Sequence, residues 1–131
     1  MKNSPTNNLN NYSVLIVDDE EVNYLFIKTV IESEIDPDYT ILYAENGKLA
    51  IDICKSKVID LILMDLKMPV MDGFKASEII KKDYPIIPII AQTAYTSEEV
   101  KVKASNCGID KVITKPISVN ILKDVFNKYN N

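Results

Sequence analysis

Five polar residues of this 131-residue chain stand directly after, or at the end of, short apolar runs. Asp18 and Asp19 follow Ser13-Val-Leu-Ile-Val17. Asp65 closes the run from Val58 to Met64. Thr93 follows Pro88-Ile-Ile-Ala-Gln92, and Lys115 follows Lys111-Val-Ile-Thr114. If these runs are neighbouring strands pointing the same way, three carboxylates, a hydroxyl and an ammonium meet at one edge. Clustered carboxylates repel one another, and a divalent cation with oxygen ligands relieves the repulsion. Lys115 adds a second positive charge and Thr93 a hydroxyl donor. Such a set suits an anion with several oxygens, and Asp65 is its natural nucleophile, because carboxylates form acyl phosphates. Phosphoryl transfer needs in-line positioning and charge neutralisation more than covalent work from the protein. A carboxylate ionised at neutral pH needs no base to attack.

The chain has no histidine. A histidine base, a histidine metal ligand and a phosphohistidine of its own are therefore excluded, and a phosphohistidine donor must arrive on another protein or domain. A metal held by oxygen ligands alone points to a hard cation such as Mg²⁺, with Mn²⁺ admitted by the same set. The formal net charge is −4 and every cation is lysine, so no direct binding to nucleic acid or to an anionic membrane surface is expected. No apolar run approaches the length of a membrane span, and the polar start lacks the apolar stretch of a signal peptide; a cytoplasmic location is the default. Cys54 and Cys107 have no short spacing and read as small apolar residues rather than a disulfide.

The elements that must position these groups follow from periodicity. Residues 1–11 are polar and Asn-rich and read as a disordered tail or the end of a linker; residues 12–131 make one domain. Ser13–Val17 is a doubly buried strand. A helix from about Glu21 to Ile35 carries Val22, Leu25, Phe26, Thr29 and Val30 on one side, and Asp36-Pro37-Asp38 stops it. Tyr39–Tyr43 is a second strand, and Asn46-Gly47 leads into a helix with Leu49, Ala50, Ile53 and Cys54. The run from Val58 to Met64 is a third strand. Leu66 to Gly73 is a loop, and Phe74 to Lys82 a helix with Phe74, Ile79 and Ile80 inward. Pro88–Gln92 is a fourth strand. Thr96-Ser-Glu-Glu99 matches a capping box that opens a helix to Cys107, with Gly108 as its stop. Lys111–Thr114 is a fifth strand, and Ser118 to Tyr129 a last helix with Ile121, Leu122, Val125 and Phe126 apolar. Alternating strands and helices argue for a parallel sheet covered on both faces, whose ligands bind beyond the carboxyl ends of the strands.

Each polar residue alone has a plain explanation. Asp18 and Asp19 could cap the following helix, Asp65 could be a turn residue, Thr93 a strand-end hydroxyl, and Lys115 a surface lysine. Their coincidence at one edge carries the reading.

Four segments give the chain a strong resemblance to receiver domains of two-component response regulators: Val14-Leu-Ile-Val-Asp-Asp19, Leu63-Met-Asp-Leu-Lys-Met-Pro-Val-Met-Asp-Gly73, Pro88-Ile-Ile-Ala-Gln-Thr-Ala94 and Thr114-Lys-Pro-Ile117. The resemblance covers residues 13 to about 129. Asn23 and the segment Ala44-Glu-Asn-Gly47 look most like receivers within hybrid sensor histidine kinases. The resemblance implies an α/β, flavodoxin-like (βα)5 three-layer sandwich with sheet order 2-1-3-4-5. It implies Asp65 as phosphoacceptor and Asp19, Asp65 and the backbone carbonyl of Lys67 as direct Mg²⁺ ligands, with Asp18 acting through metal-bound water. Thr93 and Lys115 would contact phosphoryl oxygens, and Lys115-Pro116 would be a cis peptide. The partner would be a histidine kinase or a histidine phosphotransfer domain docking on the helix that begins at Glu21. The domain would catalyse phosphorylation and slow dephosphorylation of its own Asp65 only, while a parent hybrid protein would be a histidine kinase. One position departs from the pattern: Val112 stands where the family usually has an aromatic that turns inward on activation; Tyr95, two residues after Thr93, could instead influence access to the phosphoryl group or be an exposed loop tyrosine.

Other classes fit less well. A phosphatase with an aspartyl-phosphate intermediate needs a second acid where Lys67 stands. A flavin binder needs a Ser/Thr/Gly-rich phosphate loop where Asp18 and Asp19 stand. A pseudo-receiver acting only as a binding module has no need of all five polar groups.

Overall fold

In the computed structural model, residues 11–130 are described; the expected tail, Asn11 apart, lies outside them. Five strands form one parallel sheet: β1 (Ser13–Val17), β2 (Thr40–Ala44), β3 (Leu61–Asp65), β4 (Ile89–Thr93) and β5 (Lys111–Thr114), in the order β2-β1-β3-β4-β5. This is the expected topology. The helices are α1 (Glu21–Val30), α2 (Gly47–Ser56), α3 (Gly73–Asp83), α4 (Glu98–Asn106) and α5 (Val119–Tyr129). Side chains alternate across the strands, so each apolar run feeds two cores. Leu15, Val17, Ile62, Met64 and Ala91 pack with Ala50, Cys54, Ala76, Ile80 and Ala104, from α2, α3 and α4. Val14, Ile16, Leu63, Ile90 and Ile113 pack with Ile27, Val30, Leu122, Val125 and Phe126, from α1 and α5. Cys54 is buried, Cys107 half-buried, and both are free thiols. Among the described residues no helix is long and apolar enough to cross a membrane.

Four of the five helices open on a side-chain cap. Asn46, Asp72, Ser97 and Ser118 accept backbone N–H bonds from Leu49, Lys75, Val100 and Ile121. Such caps contribute about 1 kcal/mol each. Helix α4 therefore starts one residue later than the capping-box reading placed it: Ser97 is the cap, and the Thr96 hydroxyl instead pairs with that of Thr114 at 2.6 Å. The helix ends as expected at Gly108, whose φ of +87° suits glycine. Gly108 N–H bonds to Ser105 O and Ile109 N–H to Ala104 O, a Schellman closure.

Three further expectations need correction. The first helix is not continuous α-helix to Ile35: Ile31–Ile35 is a π-helical turn, closed by Asp36 N–H donating to Ile31 O. Of the side that carries Val22, Leu25, Phe26, Thr29 and Val30, Val30 alone is buried. Val30 packs toward the sheet with Ile27 of α1 and Ile31 of the π-helical turn. Val22 remains 81% exposed, and Leu25 and Phe26 are nearly half exposed. The third strand begins at Leu61 rather than Val58, because Asp60 turns its carboxylate to the Ser13 N–H (2.7 Å), and Val58 is exposed. Leu49 and Ile121 are exposed as well, so the inward positions of their helices are Ala50 and Cys54 in α2, and Leu122, Val125 and Phe126 in α5.

Gly73 closes the loop after β3. Its N–H donates to Leu66 O, and a Cβ built on it would lie 2.1 Å from Asp65 O and 2.9 Å from Leu66 Cα. Both are backbone atoms and cannot step aside. Gly73→Ala is expected to lower the unfolding free energy by about 3 kcal/mol, at the top of the range for overpacking, as read by urea denaturation. A loss below about 1 kcal/mol would contradict this close approach.

Candidate functional site

The carboxyl ends of β1, β3, β4 and β5 lie side by side, and the parallel register sets their polar residues at one edge. Asp65 is the last residue of β3 and pairs with Gln92; Thr93 pairs with Thr114. Asp18 is fully buried and Asp65 almost so, while Asp19 is exposed. Lys115 Nζ lies 3.4 Å from Asp18 Oδ2 and 3.4 Å from Asp65 Oδ2, so a single ammonium bridges two buried carboxylates. The lysine is presented by a turn containing the expected cis Lys115-Pro116 peptide, and its N–H donates to Thr93 O at 2.7 Å.

Asp18 does not cap α1. The N-cap of that helix is Glu20, which makes no side-chain cap bond. Asp18 Oδ1 accepts the Glu20 N–H at 2.8 Å, and its Oδ2 accepts from Asn23 Nδ2. The Tyr43 hydroxyl donates to Asp18 O at 2.9 Å and fixes the backbone from β2. Asp65 Oδ1 lies 3.4 Å from the Lys67 N–H. A carboxylate oxygen from each of Asp18, Asp19 and Asp65 lies within 4.8 Å of the others. An all-oxygen set this close suits a hard divalent cation of the Mg²⁺ kind.

Thr93 is positioned differently from the acids. Its hydroxyl donates to Tyr95 O at 3.2 Å and receives the Tyr95 N–H at 3.4 Å. With Leu66, Lys67, Phe74 and Val100, Thr93 and Tyr95 line a cleft of about 180 Å³ beside the acids. The Tyr95 ring is 72% exposed. Val112 is half-buried against the core on the α4 side, an ordinary packing position. Sequence reasoning missed the site roles of Asn23, Gln92 and Tyr43. Gln92 left a signal: it is a polar residue in an otherwise apolar strand, and it is buried.

The family model described as the response regulator receiver domain matches residues 14–127. The autoinducer 1 sensor kinase/phosphatase LuxN of Vibrio campbellii is 36% identical over 132 residues, covering 99% of this chain but 15% of LuxN. Hybrid signal transduction histidine kinase I of Dictyostelium discoideum is 36% identical over 123 residues, covering 87% of this chain and 7% of that protein. The chain thus spans a small part of these curated relatives. Among solved structures, the complex of the Saccharomyces cerevisiae histidine phosphotransfer protein Ypd1 with the receiver domain of Ssk1 matches with a TM-score of 0.82 and 27% identity. That match covers 91% of this chain and 88% of the other.

Burial pushes the Asp65 carboxyl up from 3.8 to about 6, against the attraction of Lys115 and with a smaller rise from Asp18. The folded state holds this proton more tightly than the unfolded state, so stability falls as pH rises from about 4 through 6. In metal-free buffer at pH 7, Asp65→Asn is expected to raise the melting temperature by about 5 °C. The gain should shrink as pH drops through 6 and vanish near pH 4. A variant that melts at or below the parent temperature at pH 7 would contradict the buried charge.

Proposed function

We propose, from the premise that this chain belongs to the response regulator receiver domain family, that Asp65 accepts a phosphoryl group from a partner's phosphohistidine. The observation that carries this reading is the single Lys115 ammonium set 3.4 Å from both Asp18 and Asp65 within a cluster of three carboxylates. With a pKa near 6, Asp65 is mostly ionised at neutral pH and attacks without a base. One of its carboxylate oxygens bonds to phosphorus as the phosphorus–nitrogen bond breaks. The imidazole leaves with that electron pair. Lys115 then turns from the carboxylates to the phosphoryl oxygens. The Thr93 hydroxyl, donated at rest to Tyr95 O, is released to another of those oxygens. Asp19, Asp65 and the Lys67 carbonyl, with Asp18 through water, would hold a Mg²⁺ or Mn²⁺ ion, which when bound supplies neutralising charge to the transferring group. The chain's chemistry is confined to its own Asp65: phosphorylation and slow dephosphorylation.

The donor is a histidine kinase or a histidine phosphotransfer domain. A groove of about 670 Å³ between α1 and the turn after β5 supports docking there; it is lined by Val22, Phe26, Pro116 and Ile117 together with Glu20 and Glu21. It borders the acidic site and offers the exposed apolar stripe of α1. The likeness to the receiver of Ssk1, solved with Ypd1, supports the same class of partner. The share of LuxN and of the Dictyostelium kinase that is matched fits a receiver carried within a longer hybrid kinase.

Incubation with Mg²⁺ and acetyl phosphate is expected to add one phosphoryl group, read by intact mass. Asp65→Asn and metal chelation should each abolish the addition. An unmodified parent chain across several small donors would instead favour a phosphorylation-independent binding module. Phe26→Asp should slow transfer from a histidine phosphotransfer domain about tenfold, the scale of an interface anchor, and leave acetyl phosphate labelling unchanged. Equal slowing with both donors would remove α1 as the docking face.

A further inference from the structure

Asp18 is fully buried in the metal-free chain, so until an ion brings water its two carboxylate oxygens rest on protein donors. Oδ1 takes the Glu20 N–H. Oδ2 faces two donors, the Lys115 ammonium at 3.4 Å and the Asn23 amide. Lys115 is shared with Asp65, and phosphoryl transfer draws it toward the new phosphoryl oxygens. Its departure leaves the Asn23 amide as the protein donor to Oδ2 among the described residues, and losing that too would cost far more than the worth of the bond itself. Asn23 is the donor that stays.

The orientation of that amide is itself held. Asn23 Nδ2 also donates to Gln92 Oε1 at 3.3 Å, which commits both of its N–H groups. Gln92 is 1% exposed, and its own Nε2 has no partner among the described residues. A buried amide with an orphaned donor is costly, and an apolar side chain of the same length would avoid the cost. The bond its side chain does make is the one that aims Asn23 at Asp18. We infer that Asn23, oriented by Gln92, is a positioning residue: it keeps Asp18 partnered and so frees Lys115 to follow the phosphoryl group. This rests on the reading of Asp65 as phosphoacceptor.

The test uses the whole chain with acetyl phosphate, which needs no docking on α1. Labelling rates at saturating Mg²⁺ are compared for Asn23→Ala and for Gln92→Met, which preserves length and packing. Each is also made in a Lys115→Met background. Mg²⁺ binding to metal-free protein is measured separately by calorimetry. With Lys115 present, Asn23→Ala is expected to slow labelling and weaken Mg²⁺ binding about tenfold each, the scale seen when the partner of a metal-site carboxylate is removed. Gln92→Met is expected to slow labelling about threefold, as an indirect support should. In the Lys115→Met background, where no ammonium has to be released, neither change should alter the slower labelling more than about twofold. Equal losses in both backgrounds would mark a mere tie between α1 and β4, and overturn the inference. So would parent-like labelling or Mg²⁺ affinity in Asn23→Ala. Failure of the parent chain to label would overturn the phosphoacceptor reading, and this inference with it.

Discussion

Two buried carboxylates share one ammonium at the carboxyl edge of a parallel sheet, and the rest of the molecule is arranged around that imbalance. Asp18 and Asp65 are removed from water, yet Lys115 can neutralise only one of them. An uncompensated buried charge costs several kcal/mol. Here the deficit is met partly by hydrogen bonds from Glu20 and Asn23 and partly by raising the Asp65 pKa. Asp19 adds a third carboxylate to the cluster. The site is therefore poised for incoming positive charge, and the fold carries some instability at neutral pH to keep it so.

The same arrangement constrains how a change at Asp65 could travel. The loop between β4 and α4 is tied by hydroxyls near both ends: Thr93 to the backbone of Tyr95, and Thr96 to Thr114. Thr114 directly precedes Lys115, and the Lys115 N–H bonds to Thr93 O. On the proposed reading, a threonine that turns to the phosphoryl group loosens this loop through its backbone. The side chain at 112 is a half-buried valine packed on the sheet and has no ring to turn. Tyr95 and Phe74 line the cleft beside Thr93, which offers aromatic side chains and space to such a rearrangement.

Much of this was legible in the sequence because parallel strands are buried on both faces. Their continuous apolar runs, each ended by a polar residue, located the five site groups and the sheet edge before any packing was known. The misreadings share a cause. Apolar residues run around much of α1, and periodicity alone does not say which of them meet the sheet; Val30 does, with Ile27 and the following Ile31, while Val22, Leu25 and Phe26 stay exposed. The onset of α4 differs by one residue because Thr96 and Ser97 are equivalent as caps until Thr114 claims the Thr96 hydroxyl. Asn23 and Gln92 escaped notice as site residues because their link spans sixty-nine positions and is made only by the fold. The orientation of Thr93 toward Tyr95 likewise depends on loop geometry rather than on residue type.

The central claim is that the carboxylate at the end of β3 is the group that receives the phosphoryl. Borohydride reduces an acyl phosphate to the alcohol, so reducing the labelled chain and mapping its peptides reads the site directly. The account predicts homoserine at position 65 and at no other acidic residue. Homoserine at position 18 or 19, or a label that survives reduction on a serine or threonine, would contradict it.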